Sequence, residues 1–126
     1  TRLTQEKNNL ILLGDFNIAP KDEDVHDPEF WRDKILCSAE ERSLLESMET
    51  LGLIDTFREF SQADSSFSWW DYRAGGFPRN RGLRIDLILA SIAMKKNLKS
   101  STIDTIPRGW EKPSDHAPVI LELALN

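Results

Sequence analysis

Acidic, amide and imidazole side chains stand at the ends of three apolar segments of this chain. Asp15 and Asn17 follow the run "LILL", Asp86 interrupts "RIDLILA", and Asp115 with His116 precedes the last apolar run. A carboxylate that bonds one ring nitrogen of a histidine fixes the tautomer of the ring and favours its protonated form. Residues of these types could therefore support acid–base chemistry, provided that the fold brings the three segments together.

Taken one at a time, these residues have structural explanations. Asp15 and Asn17 in "GDFN" are typical of a turn, because both side chains hydrogen-bond nearby backbone groups. A single histidine is more often a satisfied core residue than a functional one. Asp86 is harder to explain in this way, since burying a carboxylate without a partner costs several kcal/mol. We therefore predict a cation or hydrogen-bond donor beside Asp86, and His116 is the candidate.

The elements that must position these residues can be predicted at low resolution. "NNLILLGD" is a short apolar run ending at Gly14, which is typical of a strand buried on both faces. Ser38 and Glu41 form a capping box that begins a helix, and Gly52 ends it. The apolar residues of that helix recur on one predicted face: Leu44, Leu45, Met48 and Leu51.

The second half of the chain is richer in predicted strands. "FSWW" and "RIDLILA" are two strands separated by the loop "DYRAGGFPRNRG", whose Gly and Pro residues indicate exposure. "STIDTI" is a weaker strand, and "APVILELAL" is the last one. Strands mixed with at least one long helix predict an α/β or α+β sheet layered with helices.

Length and composition limit the possible protein classes. The chain has 126 residues, of which 40% are hydrophobic and 29% charged, as expected for one globular domain. No apolar run is long enough for a membrane span, so we expect no membrane partner. Cys37 is the single cysteine and no leader-like segment opens the chain, which predicts a reducing, cytoplasmic location.

The charge pattern gives a mixed indication about nucleic acids. The net charge of −5 argues against binding DNA by bulk electrostatics. Four arginines without intervening acids predict a local basic patch, although a solvated loop is an equal alternative: Arg73, Arg79, Arg81 and Arg84.

Four other features are assigned structural roles. We predict a polar loop with His26 and Asp22–Asp24, an apolar filler at Cys37, and packing at Trp31 and Trp110.

Five segments together resemble one enzyme family. "LLGDFNIAP", "GLIDTF", "FSWWDYR", "NRGLRIDLILA" and "EKPSDHAPV" are similar, in order and spacing, to the carboxy-terminal half of the exonuclease III family of bacterial apurinic/apyrimidinic endonucleases. That family belongs to the endonuclease/exonuclease/phosphatase superfamily. The resemblance implies an α/β (α+β) fold that is half of the four-layer α/β/β/α sandwich of deoxyribonuclease I-like proteins, with one mixed sheet and helices on one face.

The resemblance also implies a domain organisation. Residues 1–126 correspond to the carboxy-terminal half of the domain, and the opening "TRLTQEKNN" resembles the tail of a helix that precedes the "GDFN" strand. The amino-terminal half, which carries further metal ligands and a catalytic tyrosine in the family, is absent. We therefore expect an exposed apolar sheet face that supports a homodimer or association with the missing half.

Catalytic roles follow from the resemblance residue by residue. Asp15 resembles the carboxylate that deprotonates the attacking water, and Asn17 the amide that holds the scissile phosphate. His116 resembles a phosphate-binding group oriented by Asp86. Asp115 resembles a ligand of magnesium or manganese, with Asp15 and Asn17 beside the same ion. Asp115 and His116 are adjacent, so we expect their side chains to point to different sides of the backbone.

The implied substrate is double-stranded DNA with abasic sites or 3′-blocked ends. Trp69 and Leu83 resemble the walls of a pocket for a flipped-out abasic sugar, supported by Trp70, while Arg73 and Arg81 are candidate backbone or groove contacts. The structural alternative is a packed pair of core tryptophans with solvated arginines.

The implied activity is metal-dependent phosphodiester hydrolysis in DNA repair. The parent protein would be an abasic-site endonuclease with 3′-5′ exonuclease and 3′-phosphatase activity, and the fragment alone is expected to be inactive. Two alternatives stay open, a non-catalytic fragment or binding module that retains the fold, and a phosphodiesterase acting on a non-DNA phosphate ester.

Overall fold

A computed structural model of the chain describes residues 9–125. Its strands are β1 Ile11–Asp15, β2 Leu53–Asp55, β3 Trp69–Trp70, β4 Gly82–Leu83, β5 Asp86–Ser91, β6 Leu98–Ile103 and β7 Val119–Leu123. Its α-helices are α1 Pro28–Trp31 and α2 Ala39–Thr50, and short 3-10 helices span Asp22–Asp24, Thr56–Glu59, Arg73–Gly75, Ile92–Asn97 and Ile106–Gly109. Residues 1–8 of the predicted helix tail lie outside the described residues. The α/β class is confirmed.

The strands form three small antiparallel sheets, with orders β1-β5-β2, β3-β4 and β6-β7. The prediction of one mixed sheet is therefore wrong for residues 9–125. The loop between β3 and β4 returns the chain without a crossover helix, and such a connection permits only antiparallel pairing. With two residues each, these strands are also too short to extend a larger sheet.

Helix α2 begins and ends where its sequence predicts. The Ser38 hydroxyl accepts a hydrogen bond from the Glu41 amide at 3.1 Å and donates one to the Glu41 carboxylate at 2.8 Å. Gly52 takes a positive φ of +98° directly after the helix, which a residue with a Cβ adopts only with strain. The buried face is narrower than predicted, because Leu45 is buried whereas Leu44 is 60% exposed.

Helix α2 covers one face of the β1-β5-β2 sheet. Leu45 packs with Leu53, Leu87 and Leu89 in one apolar cluster, and Met48 packs against its edge. Strand β5 is buried from Leu87 onward. Strand β1 departs from the prediction of two buried faces, since Leu13 is 64% exposed. An apolar surface therefore remains uncovered on β1.

A network of buried ions joins the segment Asp22–Asp24 to strand β2 and to the residues before β5. Arg84 is 1% exposed, and its Nε donates to Asp24 Oδ1 at 2.7 Å. Its guanidinium also pairs with Asp55, and Arg58 forms a second ion pair with Asp24. The prediction that Asp24 belongs to a solvated polar loop is wrong, and Arg84 does not belong to a surface patch.

Three smaller predictions also have outcomes. Cys37 is buried, as a small apolar filler should be, and burial raises the pKa of its thiol. Trp31 packs at the edge of an apolar cluster that includes Cys37. Trp110 was assigned to packing, but its side chain is 64% exposed.

Within residues 9–125, no helix has the length and apolar character needed to cross a bilayer.

Candidate active site at the meeting of three strand ends

Strand pairing brings the three chemically distinctive segments together. The antiparallel register of β1 and β5 sets Asp15 directly opposite Asp86. Residues 68–70 then hold residues 115–117, because the amide of Ala117 donates to the Ser68 carbonyl at 2.7 Å and the amide of Trp70 donates to the Asp115 carbonyl at 3.1 Å. Side chains far apart in sequence therefore share one small site.

His116 lies at the centre of this site. Its Nδ1 is 2.8 Å from Asp86 Oδ2, which is the partner that the sequence predicted for the Asp86 carboxylate. Its Nε2 lies 3.6 Å from Asp15 Oδ2 and 3.8 Å from Asp115 Oδ1. The imidazole is thus anchored on one nitrogen and faces two carboxylates with the other.

The surroundings shift the pKa values of both members of the Asp86–His116 pair. Burial alone would lower the pKa of His116, but the hydrogen bond to Asp86 and the negative charges of Asp86, Asp15 and Asp115 outweigh it and raise that pKa. Burial raises the pKa of Asp86, opposed by its hydrogen bonds to His116 and Ser68. The raised pKa of His116 favours the protonated imidazole, which is the form suited to binding an anionic group.

Ser68 supports this pair, and sequence reasoning missed it. Its hydroxyl oxygen accepts the amides of Ile85 and Asp86, each at 3.1 Å, and the hydroxyl also bonds the Asp86 carboxylate. The side chain is fully buried. Its position directly before the "WW" strand gave no signal of function, because serine is common at strand ends.

Asp15 and Asn17 combine turn chemistry with a place in the site. The backbone amide of Asn17 donates to Asp15 Oδ1 at 2.9 Å, and Asn17 has a φ of +53°, so the predicted turn exists. The other oxygen of Asp15 faces His116. One carboxylate therefore both shapes the loop and contributes to the cluster.

Asp115 takes a position that differs from the expectation. We expected Asp115 and His116 to diverge, yet Asp115 Oδ1 lies 3.8 Å from His116 Nε2. The other oxygen accepts a hydrogen bond from Trp69 Nε1 at 3.0 Å. The indole draws the carboxylate toward the site instead of leaving it on the opposite side of the backbone.

The cluster has the composition of a site for a hard divalent cation. Ligand atoms of Asp15, Asp86 and His116 all lie within 4.8 Å of one another. With Asp115 included, three carboxylates surround a single imidazole, so negative charge exceeds positive charge even when His116 is protonated. Such an excess of carboxylate oxygens suits a divalent cation. Asn17, predicted as another ligand, is exposed on the same loop as Asp15.

A cleft of about 600 Å³ lies beside the cluster, and Trp69 is common to both. Phe30, Trp31 and Ile35 add apolar surface to the cleft, and its charged rim includes Lys34, Arg73 and Arg81. His26, assigned to a polar loop, also lines it and accepts a hydrogen bond from Trp31 Nε1. The lining thus combines aromatic surface with three cations and with the Asp71 carboxylate that pairs with Arg73.

Two of the predicted pocket residues do not line the cleft. Leu83 is fully buried, pairs with Trp69 across strands β4 and β3 and shares an apolar cluster with it. Trp70 is 1% exposed, donates to Asn80 Oδ1 at 3.0 Å and meets Phe77 edge to face in a separate apolar cluster. Leu83 therefore supports the Trp69 wall and Trp70 does not, and Trp69 is the one of the three that lines the cleft.

The predicted basic patch is divided in the structure. Arg73 is exposed and pairs with Asp71 at 2.7 Å, while Arg79 and Arg81 are exposed nearby. Arg84 points inward to the buried ions described above. Three of the four arginines remain available at the surface.

Comparison with known proteins identifies relatives that are similar in sequence and in overall structure. Exodeoxyribonuclease III of Haemophilus influenzae is 40% identical over 124 residues, which cover 93% of this chain and 46% of that protein. The structure of a 3′ phosphatase from Neisseria bound to a product DNA hairpin matches with a TM-score of 0.89 and 47% identity, over 93% of this chain and 46% of that one. An AP endonuclease from Archaeoglobus fulgidus matches with a TM-score of 0.88 and 29% identity, over 98% of this chain and 49% of that one.

These matches confirm the resemblance and the fold class that it implied, although residues 9–125 form three antiparallel sheets instead of one mixed sheet. The chain spans about half the length of the relatives that it matches. The model of the Endonuclease/Exonuclease/phosphatase family matches residues 2–116. The chain therefore belongs to the endonuclease/exonuclease/phosphatase family.

Proposed function

We propose that this chain carries the phosphate-binding and proton-transfer part of a metal-dependent DNA repair nuclease. In the whole protein the activity would be abasic-site endonuclease with 3′-5′ exonuclease and 3′-phosphatase action. The observation that carries the proposal is His116, held on Asp86 at 2.8 Å with its second nitrogen between Asp15 and Asp115. The relatives named exodeoxyribonuclease III and AP endonuclease support the same reaction class.

Each polar residue has a role in phosphodiester hydrolysis under this proposal. Protonated His116 binds a phosphoryl oxygen and offsets the charge that develops in the transition state. Asp15 accepts the proton of the attacking water, and Asn17 holds the phosphate through its amide. Asp86 keeps the imidazole oriented and protonated. Asp15 and Asp115, with Asn17 nearby, would hold a divalent cation, which would supply further charge neutralisation at the phosphate.

The cleft beside Trp69 supports recognition of a nucleotide that has left the DNA stack. Its aromatic interior accepts a sugar without a base, and Arg73 and Arg81 lie where a phosphate backbone would approach. An abasic nucleotide is favoured over a normal one, because little stacking is lost when it flips out of the duplex. The segments "WWDYR" and "NRGLRIDL" resemble those of the abasic-site nucleases, which disfavours a phosphodiesterase that acts on a non-DNA phosphate ester.

The exposed leucines of β1 suggest how the site is completed. Leu13 is 64% exposed and points to the same face of β1 as Asp15, whereas Leu12, which is 40% exposed, points to the other face. We propose that an amino-terminal half covers this surface in the whole protein, and that a second copy of the chain covers it when the chain is alone. Sedimentation of the isolated chain should then show a dimer that Leu13→Lys dissociates, and a monomer at high concentration would contradict the second part.

Cleavage of a duplex with one abasic site tests the proposal. The chain would be assayed with magnesium alone and after mixing with the amino-terminal half of the Haemophilus influenzae relative, with His116→Ala as the control. We expect no cleavage by the chain alone and cleavage on mixing that His116→Ala abolishes. Failure on mixing with a folded chain would favour a non-catalytic module, and hydrolysis of an inositol phosphate instead of the duplex would favour a different phosphodiesterase.

A further inference from the structure

Trp69 touches the catalytic cluster as well as the cleft. Its indole Nε1 donates to Asp115 Oδ2 at 3.0 Å, and its backbone forms an antiparallel bridge with His116. We propose that Trp69 is a positioning residue that fixes the Asp115 carboxylate beside His116, in addition to forming the wall of the cleft. This inference rests on the proposed hydrolytic function and assigns a residue to it.

The hydrogen bond separates the two oxygens of Asp115 into different roles. An indole N–H is a donor only, so it requires an acceptor when it is partly buried. Asp115 Oδ2 satisfies it, which leaves Oδ1 directed at His116 Nε2 at 3.8 Å. Without the indole, the Asp115 carboxylate could rotate into solvent, since its side chain is 38% exposed. The indole thus selects the rotamer in which one oxygen faces the reaction site.

The backbone around Trp69 restricts the same carboxylate. The amide of Trp70 donates to the Asp115 carbonyl at 3.1 Å, and the Ser68 carbonyl accepts from Ala117 at 2.7 Å. Both ends of the dipeptide Asp115–His116 are therefore fastened to the strand that carries Trp69. Because the main chain cannot move independently, a single side-chain bond suffices to define the orientation of the carboxylate.

The position of Trp69 couples the cleft to the reaction site. One indole lines the 600 Å³ cleft and bonds Asp115, so a group seated against the ring also stabilises the orientation of the carboxylate. A group that pushes the ring aside would release Asp115. Binding of the correct sugar and the geometry of the cluster are thereby linked through one rigid side chain.

The competing explanation is that Trp69 contributes only apolar surface. It packs against the cluster that contains Leu83 and Ile85, and its area alone could explain its presence. Trp69→Phe separates the two explanations, because phenylalanine retains an aromatic wall but has no N–H donor. Trp110→Phe is the matched control, since it makes the same exchange at an exposed tryptophan.

The first measurement requires no catalytic activity. In the isolated chain, three-bond NMR couplings would report the side-chain rotamer of Asp115 in the wild type, Trp69→Phe and Trp110→Phe. We expect one dominant rotamer in the wild type and in Trp110→Phe, and a mixture of rotamers in Trp69→Phe. An unchanged single rotamer in Trp69→Phe would overturn the proposal, whatever the enzyme does.

The second measurement uses the enzyme reconstituted with an amino-terminal half. Loss of a hydrogen bond to a charged group should lower kcat for abasic-site cleavage by about ten-fold in Trp69→Phe and leave KM nearly unchanged. A rise in KM with unchanged kcat would instead identify a wall that only binds and would overturn the positioning role. Absence of cleavage by the wild type would refute the proposed function, while the rotamer measurement would still decide the role of Trp69.

Discussion

Replacing Arg84 by methionine should destabilise the fold more than any surface substitution nearby. Arg84 is 1% exposed and bonds Asp24, whose side chain is fully buried, and Asp55, whose side chain is 14% exposed. Methionine keeps much of the volume but removes the cation. The carboxylates would then lie in the interior with only Arg58 left to pair with Asp24.

The expected loss in the free energy of unfolding depends on how far Arg58 still compensates Asp24. Removing one partner of a buried ion pair costs about 3–5 kcal/mol, because the other charge stays buried without its counter-ion. Since Arg58 remains and Asp55 reaches solvent, we expect the lower end of that range, about 3 kcal/mol. For a chain of this size such a loss lowers the melting temperature by about 12 °C.

Urea unfolding followed by circular dichroism would measure the effect, with Arg73→Met as the matched control. Arg73 pairs with Asp71 at the surface, so its replacement should leave the free energy of unfolding unchanged within error. Equal stability of the Arg84 and Arg73 variants would refute the reasoning. A more stable Arg84→Met protein would mean that desolvating the buried charges costs more than their attraction returns, and Asp24→Asn in the Arg84→Met background should then stabilise the protein further.

Three further predictions concern the active site and the core. Ser68→Ala should lower the pKa of His116, measured by NMR titration, because Asp86 loses a fixed orientation against the imidazole. In metal-free buffer, the raised pKa of His116 contributes stability that is complete below about pH 6.5 and is lost as the pH rises through the folded pKa. Urea unfolding of His116→Gln should therefore show a smaller loss of stability over that pH range than the wild type shows. Cys37 should react with a thiol reagent at the rate of unfolding, since it is buried and burial raises the pKa of its thiol; rapid reaction of the native chain would contradict this.

The sequence predicted the local elements better than their arrangement. Helix α2 was predictable because its start and stop depend on neighbouring residues, Ser38 with Glu41 at one end and Gly52 at the other. The division into three sheets was not predictable, since strand pairing depends on residues distant in sequence. Register decides which side chains meet, and one slip would have moved Asp15 away from Asp86.

The buried ions show the limit of reasoning from charge patterns. Asp24 lies in an acidic run and Arg84 in a basic one, and each pattern is typical of a solvated segment. Their pairing across sixty positions exists only in the folded chain. Trp110 is the reverse case, because its large apolar side chain predicted packing and it is exposed beside the loop that precedes Asp115.

The Asp86–His116 pair could be proposed from sequence because a carboxylate in an apolar strand demands a partner, whereas Asp15, Asn17 and Asp115 were proposed from the family resemblance. The contacts that orient them could not, because they come from Ser68 and Trp69, whose residue types are common in cores and strand ends. All of these contacts lie within residues 9–125, and they join the segments 68–70, 85–86 and 115–117 through backbone hydrogen bonds and through the Ser68 hydroxyl and the Trp69 indole. The Asp86–His116 pair therefore forms with the fold of this chain itself. Under the proposed function, a second half would add the remaining cation ligands and the cover for β1, so the completion of the site would be a separate step from the formation of the Asp86–His116 pair.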